Sequence, residues 1–198
     1  TYGFPIEQTI EEARERGMSV DEEGFKEKFR EHQEKSKSAS KGKFKGGLAG
    51  ISEMEVKYHT ATHLLNAALK IVLHSKDAHQ MGSNITPERM RFDFSCDHKL
   101  SKEEIQEAED IVNGWIKDDL PVYRKEMTKD EALASGAECR FIERYPDNVT
   151  VYEIGDVSKE LCGGPHVKHT AVLGHFKIVK EEACSAGVRR IKAILEDN

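Results

Sequence analysis

Apolar residues recur at helical spacing in two long stretches of the chain. Between positions 58 and 73 the apolar stripe consists of Leu64, Leu65, Ala68, Leu69 and Val72. Between positions 101 and 121, Ser101 and Glu104 form a capping box at the start, and Pro121 follows the end. Both stretches are therefore predicted to be helices that pack one face against a core.

Strand-like patterns lie between and after these helices. The segment RMRFDFS alternates, with Met90, Phe92 and Phe94 on one face. Further strands are predicted at 121–127, at 139–156 as a hairpin through residues 146–148, and at 174–195 as a pair turning near residue 187. A short helix is predicted at 128–136, capped by Thr128 and closed by Gly136. Two long helices and mostly hairpin-linked strands predict an α+β fold, an antiparallel sheet with helices packed on one face.

The N-terminal part of the chain has a different character. Residues 9–17 and 19–38 are predicted to form a short helix and a second, exposed helix, with too few large apolar residues for a core. Residues 37–50 are rich in Gly, Ser and Lys, which is typical of a flexible linker. We therefore expect a helical segment with its linker at 1–50 and a globular domain at 51–198.

Composition and charge narrow the class of protein. The 198 residues include no apolar run long enough for a membrane span, and the net charge of −6 excludes a uniformly basic nucleic-acid coat. Lysines are concentrated between positions 26 and 45. This pattern is typical either of a solubilising tether or of an arm that contacts nucleic-acid phosphates. The candidate phosphate contacts in this arm are Lys41, Lys43 and Lys45.

The cysteines and the first residue bear on cellular context. The four cysteines show no disulfide-scaffold spacing, so we interpret them as reduced thiols in a cytoplasmic protein. The chain starts at Thr1 without a signal-peptide pattern, which suggests a fragment or a processed chain.

Two short motifs carry candidate metal ligands. His59 and His63 lie four residues apart on the first predicted helix, so their side chains share a face. Cys162 and His166 are also four apart, across a Gly-Gly-Pro turn that permits a tight bend. Three imidazoles and one thiolate favour Zn²⁺ over Mg²⁺ or Ca²⁺. A His-rich set favours a catalytic ion, although a closed structural zinc remains an alternative.

Four segments of the chain resemble the editing domain of alanyl-tRNA synthetase and related freestanding editing proteins. They are HTATHLLNAALK, QMGSNITPERMRFDFS, IGDVSKELCGGPHV and GVRRIKAIL, in the order of that family. Residues 1–25 resemble the segment that closes the tRNA-recognition region of such synthetases. The resemblance implies an α+β module with zinc held by the two motifs. It also implies hydrolysis of serine, and to some extent glycine, from the acceptor end of tRNA(Ala).

The resemblance also implies roles for further residues. Gln80 maps to the glutamine of a Gln-x-Gly-Ser motif, and Thr62 to the threonine before the second histidine. Thr62 would bind the serine hydroxyl, or else bond its own helix backbone. The implied tRNA contacts are Arg91, Arg189 and Arg190, whose alternative is a set of sheet-face charges paired with acids such as Asp93. The remainder of a synthetase chain is a further implied partner if this chain is a fragment.

The sequence differs from the family pattern in two places, and these differences leave undecided which aminoacyl-tRNA is the substrate. Pro165 stands where alanyl enzymes usually have threonine, and proline there is more like the threonyl-tRNA synthetase editing domain, which removes serine from tRNA(Thr). A small β-barrel usually precedes HxxxH, and here a short linker fills that space. The alternatives to tRNA(Ala) editing are therefore editing of seryl-tRNA(Thr) and a non-catalytic, zinc-stabilised tRNA-binding module. Whether zinc polarises the carbonyl, binds the amine or activates water also stays open.

Overall fold

The computed structural model describes residues 13–25, 27–28, 30–31, 50–75, 78–139, 145–185 and 187–197. The chain divides into two units, Thr1–Phe44 and Lys45–Asn198. In the first unit, residues 13–15 are helical and Gly17 follows with a φ of 68°, which is the predicted helix end. Residues 22–25, 27–28 and 30–31 are helical within the predicted second helix. Residues 9–12 of the first predicted helix and residues 37–49 of the predicted linker lie outside the described residues.

The first long helix of the second unit, α1, is Glu53–Val72. It begins with a capping box in which the Ser52 hydroxyl accepts from the Glu55 amide and the Glu55 carboxylate accepts from the Ser52 amide. The predicted apolar stripe, from Leu64 to Val72, is buried, which confirms the predicted core face. The described helices include none that is both long enough and apolar enough to cross a membrane.

A four-stranded antiparallel sheet forms the main layer beneath the helices. Its strands are β1 (Gln80–Thr86), β2 (Arg89–Ser95), β6 (His175–Ser185) and β7 (Val188–Glu196), in the order β1-β2-β7-β6. Helix α2 (Lys102–Lys117) begins with the predicted Ser101–Glu104 capping box. One core joins the apolar faces of α1 and α2 to alternate residues of the sheet, including Met90, Phe92 and Phe94. The α+β class is therefore confirmed, with helices packed on the sheet.

The remaining strands form a second antiparallel sheet instead of extending the first. Strands β3 (Val122–Thr128), β4 (Asn148–Ile154) and β5 (Ser158–Leu161) are ordered β3-β4-β5. Helix α3 (Lys129–Ala134), predicted from its cap, covers a small core with residues of β4 and β5. The first arm of the predicted 139–156 hairpin lies mostly outside the described residues, and β4 pairs instead with β3 and β5. Strands β1 and β5 were not predicted, because neither QMGSNIT nor SKEL alternates clearly.

Candidate metal centre

The two ligand motifs meet in space, although 103 residues separate His59 from Cys162. His59 and His63 project from one face of α1, and Cys162 immediately follows β5. The Cys162 Sγ lies 3.3 Å from Nε2 of His59 and 3.4 Å from Nε2 of His166. One ligand atom from each of the four residues lies within 4.8 Å of the others. The predicted convergence of the two motifs is thus observed.

The spacing of these atoms suits a tetrahedral ion. Zinc bonds of about 2.0–2.3 Å place tetrahedral ligand atoms roughly 3.3–3.8 Å from one another. The two sulfur–nitrogen distances of 3.3 and 3.4 Å lie in that range. Nitrogen and sulfur donors favour zinc over the oxygen-seeking ions. The residues present therefore fit a Zn²⁺ ion.

Hydrogen bonds orient two of the imidazoles with Nε2 toward the centre. The Pro165 carbonyl accepts only, so Nδ1 of His59, 3.0 Å away, carries the proton. The Thr60 hydroxyl donates to the Val56 carbonyl and accepts from the Val167 amide, so it also accepts from Nδ1 of His166 at 3.1 Å. Both rings consequently present an unprotonated Nε2, which is the form that binds a metal.

A buried carboxylate faces the third imidazole. Glu160 Oε2 lies 3.5 Å from Nδ1 of His63, an ion-pair distance that is long for a hydrogen bond. In the described part of the chain, Nδ1 of His63 has no hydrogen-bond partner of its own. The Glu160 carboxylate is fixed by the Asn66 amide at 3.1 Å and the Ser158 hydroxyl at 3.2 Å. Glu160 is therefore the acceptor best placed to orient His63.

Burial determines the protonation of the cluster. Desolvation, with a smaller contribution from His63, lowers the pKa of His59 to about 3, and desolvation lowers the pKa of His63 to about 4. Desolvation also lowers the pKa of His166 well below its usual value. The imidazoles are thus neutral at physiological pH, as ligands must be. Burial raises the pKa of the Cys162 thiol to about 12, so its thiolate needs a nearby cation.

The Gly-Gly-Pro turn brings backbone against a ligand ring. A Cβ atom on Gly164 would lie only 2.7 Å from Nδ1 of His59 and still closer to Cε1. Real Cβ contacts are essentially never this short. Glycine at this position therefore allows the loop to pack directly on His59.

The proposed catalytic residues outside the ligand set have defined neighbours. Gln80 begins β1 opposite Phe94, and its amide donates to the Ser83 hydroxyl at 3.0 Å. Directly opposite residues of antiparallel strands point to the same side, so Gln80 and Ser83 share the side of Phe94 and Phe92, which face the helices. Thr62 is buried and donates to the His59 carbonyl at 2.7 Å, which is the backbone bond weighed as its alternative.

The arginines predicted to contact tRNA are paired with acids. Arg190 makes a forked bond to Asp93 at 2.7 and 2.9 Å, and Arg189 makes one to Glu181 at 2.5 and 2.8 Å. Arg91 lies 3.6 Å from Asp93, and its Nε is buried without a partner in the described residues. Consecutive strand residues point to opposite faces, so Arg189 and Arg190 do not share a surface. The lysines at 41, 43 and 45 lie outside the described residues.

No role in positioning the ligand rings is predicted from the sequence for three residues, one of which, Gly164, is recognised there only as part of the tight turn. Thr60, Glu160 and Gly164 contact the ligand rings, yet none belongs to a metal-ligating pair. A partial signal existed for Thr60, because a helix-interior threonine four residues after Val56 commonly bonds that carbonyl. The contact of Glu160 depends on the pairing of β5 and had no local signal.

Replacing Glu160 with glutamine is expected to weaken zinc binding about 10- to 100-fold, because the carboxylate that orients a ligand imidazole is lost while the shape is kept. Competition with a zinc chelator measures the affinity. Glu153→Gln is the matched control, since Glu153 lies on the neighbouring strand and pairs with Lys125 and Lys159. Equal zinc affinity in Glu160→Gln and the unmodified chain would rule out the role.

Two family models match parts of the chain. Residues 1–87 match the model described as tRNA synthetases class II (A), and this range includes His59, His63 and Gln80. Residues 149–192 match the threonyl and alanyl tRNA synthetase second additional domain, and this range includes Cys162 and His166. Each ligand pair thus lies in a separate match.

Curated relatives match nearly the whole chain. An alanine–tRNA ligase from Borrelia hermsii is 55% identical over 197 residues, covering 100% of this chain and 33% of that protein. One from Treponema denticola is 54% identical over 196 residues, covering 99% of this chain and 32% of that protein. One from Thermotoga maritima is 50% identical over 142 residues, covering 72% of this chain and 16% of that protein. The chain spans about one third of the length of the first two relatives.

Proposed function

Because the chain belongs to the alanine–tRNA ligase family, we propose that it binds Zn²⁺ and hydrolyses seryl-tRNA(Ala), and to a lesser extent glycyl-tRNA(Ala), as an editing activity. The observation that carries the proposal is the buried cluster of three imidazoles and one thiol. The acceptor end of tRNA(Ala) and the remainder of a ligase chain are the proposed partners. The cell compartment proposed is the cytoplasm.

The need for such an activity follows from the limits of binding selectivity. A site for alanine rejects serine or glycine only about 10²-fold, because a hydroxyl or methyl group changes binding by a few kcal/mol at most. A second site that accepts serine and refuses alanine restores accuracy. It requires a buried polar group that the serine hydroxyl satisfies and that alanine leaves unpaired, at a cost of about 1–3 kcal/mol.

We assign that group to Thr62. Its hydroxyl proton is given to the His59 carbonyl, so its oxygen retains lone pairs that can accept a hydrogen bond from the serine hydroxyl. Thr62 is buried and precedes the ligand His63. Replacing Thr62 with valine should therefore lower the ratio of seryl to alanyl hydrolysis rates.

The ester itself is activated, so hydrolysis needs positioning and polarisation. His59, His63, Cys162 and His166 would hold the zinc ion, which supplies Lewis-acid polarisation or a lowered water pKa when bound. Gln80 is neutral and cannot act as a strong base, but its amide can orient water or the substrate carbonyl. Arg91, Arg189 and Arg190, and the lysines at 41, 43 and 45, are the proposed contacts to tRNA phosphates.

The chain is expected to release serine from seryl-tRNA(Ala) at least tenfold faster than alanine from alanyl-tRNA(Ala), because only serine satisfies the Thr62 oxygen. Release of labelled amino acid measures both rates, and seryl-tRNA(Thr) serves as a third substrate. Serine release no faster than spontaneous hydrolysis would refute the activity. Faster release from seryl-tRNA(Thr) would reassign the tRNA.

A matched pair of variants tests the role of Gln80. Removing a donor that polarises a reacting carbonyl typically lowers kcat about 10²-fold, which we expect for Gln80→Ala with no loss of zinc. Gln106→Ala is the control, since Gln106 lies on the exposed side of α2 and bonds Asp110. Normal turnover in Gln80→Ala would remove Gln80 from the catalytic set.

The presence of four protein donors, three of them buried, favours a structural zinc module as the second candidate. Such a module would bind tRNA without hydrolysing it, and removal of its ion would unfold the domain. A chelator melt distinguishes the candidates. If zinc removal abolishes serine release and scarcely lowers Tm, the catalytic candidate is supported and the structural one fails.

A further inference from the structure

The metal centre is open to solvent on one side. His59, His63 and Cys162 are buried, whereas His166 is half-buried. The loop residues beside it, Gly163 and Pro165, are exposed. The side of His166 is therefore the most exposed side of the cluster.

A row of three side chains crosses the second sheet next to His63 and His166. Glu160 on β5 lies opposite Tyr152 on β4, and Tyr152 lies opposite Arg124 on β3. Directly opposite residues share a face, so the row runs along one side of the sheet. Glu160 faces His63, and the Tyr152 ring lies 4.2 Å from the His166 ring between centroids. The face that carries the row is therefore the face that adjoins the metal centre.

Arg124 ends this row at the outer strand of the sheet. Its side chain is 54% exposed, and its guanidinium interacts with the Tyr152 phenol. Its acidic partner, Glu126, lies two residues along the same strand and is 68% exposed. Exposed ion pairs of this kind contribute little, so the guanidinium can exchange Glu126 for another anion. A forked guanidinium suits a phosphate in particular.

We propose that Arg124 binds the phosphodiester preceding the 3′-terminal nucleotide of the aminoacylated RNA. The inference rests on the proposed function, because it requires an aminoacyl ester at the metal centre. The phosphate nearest such an ester lies one ribose away from it. Arg124 lies one side chain away from a ligand ring, with Tyr152 between them.

Lys125 provides a matched control on the same strand. It is 50% exposed, pairs with Glu153, and lies opposite Val151, so it points to the other face of the sheet. Arg124→Ala and Lys125→Ala each remove one exposed cation from β3. They differ in the face from which the cation is removed.

Arg124→Ala is expected to raise KM for seryl-tRNA(Ala) about tenfold, with kcat and zinc content unchanged, because a phosphate contact remote from the ester affects binding only. Arg124→Lys should recover part of the loss, since a lysine keeps the charge without the fork. Lys125→Ala should leave KM unchanged. The same KM in Arg124→Ala and the unmodified chain, or an equal rise in Lys125→Ala, would overturn the proposal.

A binding measurement separates this inference from the proposed activity. The probe is a stem–loop RNA with a single-stranded 3′ tail, titrated at several salt concentrations. Arg124→Ala should reduce the salt slope by about one, and Lys125→Ala should not. If the chain binds the probe with this difference but releases no serine, the contact stands and the proposed activity fails. If serine is released and the variants bind identically, the contact fails alone.

Discussion

Replacing Cys162 with alanine is expected to lower zinc affinity by about 10²–10³-fold and to remove most serine release. Zinc binding to four-ligand protein sites is worth roughly 10–16 kcal/mol, so one of the four ligands accounts for about 2.5–4 kcal/mol. Cys162 is also the ligand whose Sγ lies near both His59 and His166, at 3.3 and 3.4 Å. Its loss therefore leaves three neutral imidazoles and no anionic donor.

Metal analysis, chelator competition and the deacylation assay together measure this effect. Cys184→Ala is the control, because Cys184 is an exposed thiol on β6 and belongs to a different sheet. It should keep zinc affinity at the level of the unmodified chain. A Cys162→Ala variant that retains one zinc ion per chain with the original affinity would show that the thiol is no ligand.

Replacing Gly164 with alanine is expected to weaken the centre too, although less than the loss of Cys162, because Gly164 is not a ligand. The added methyl group would occupy space taken by the His59 ring, 2.7 Å from Nδ1. The ring has little freedom to withdraw, because Nδ1 bonds the Pro165 carbonyl and the helix around it is buried. Overpacking of this kind costs typically 1–3 kcal/mol and moves either the ring or the loop.

We expect Gly164→Ala to lower zinc affinity at least tenfold and to lower Tm by several degrees, measured by chelator competition and thermal denaturation. Gly114→Ala is the control, since a Cβ there meets nothing within 4 Å and lies in the helix α2. Alanine at that position should be neutral or should stabilise by up to about 1 kcal/mol. Normal zinc affinity in Gly164→Ala would mean that the loop relaxes without moving His59.

Local periodicity explains what could be predicted. The apolar stripe of α1 and the caps of α2 and α3 are encoded within a few residues, and all are found where expected. His59 and His63 share a face because of helix geometry alone. Two ligand pairs with matching donor chemistry were then enough to expect that they meet.

The features that could not be predicted from the sequence depend on pairing between strands that are distant along the chain. The division into two sheets depends on β4 choosing β3 and β5 as neighbours, and SKEL is too short to show a strand period. Glu160 reaches His63 only through that pairing. The role of Arg124 likewise depends on its register with Tyr152.

Proline at position 165, where the alanyl family usually has threonine, is expected to have little effect on the geometry of the metal centre. The contact made to His59 comes from the backbone carbonyl of Pro165, which every residue type has. Threonine and proline at this position can therefore both support the ring.

The separation of 103 positions between His59 and Cys162 has a consequence for biogenesis. A ribosome completes α1 long before Cys162 and His166 leave its exit tunnel, so the nascent helix offers only two imidazoles to any passing ion. Capture by all four donors must await release of the second half of the domain. Copper binds nitrogen and sulfur donors more tightly than zinc when both ions are free. Which divalent cation the completed centre holds therefore depends on the cellular supply of each.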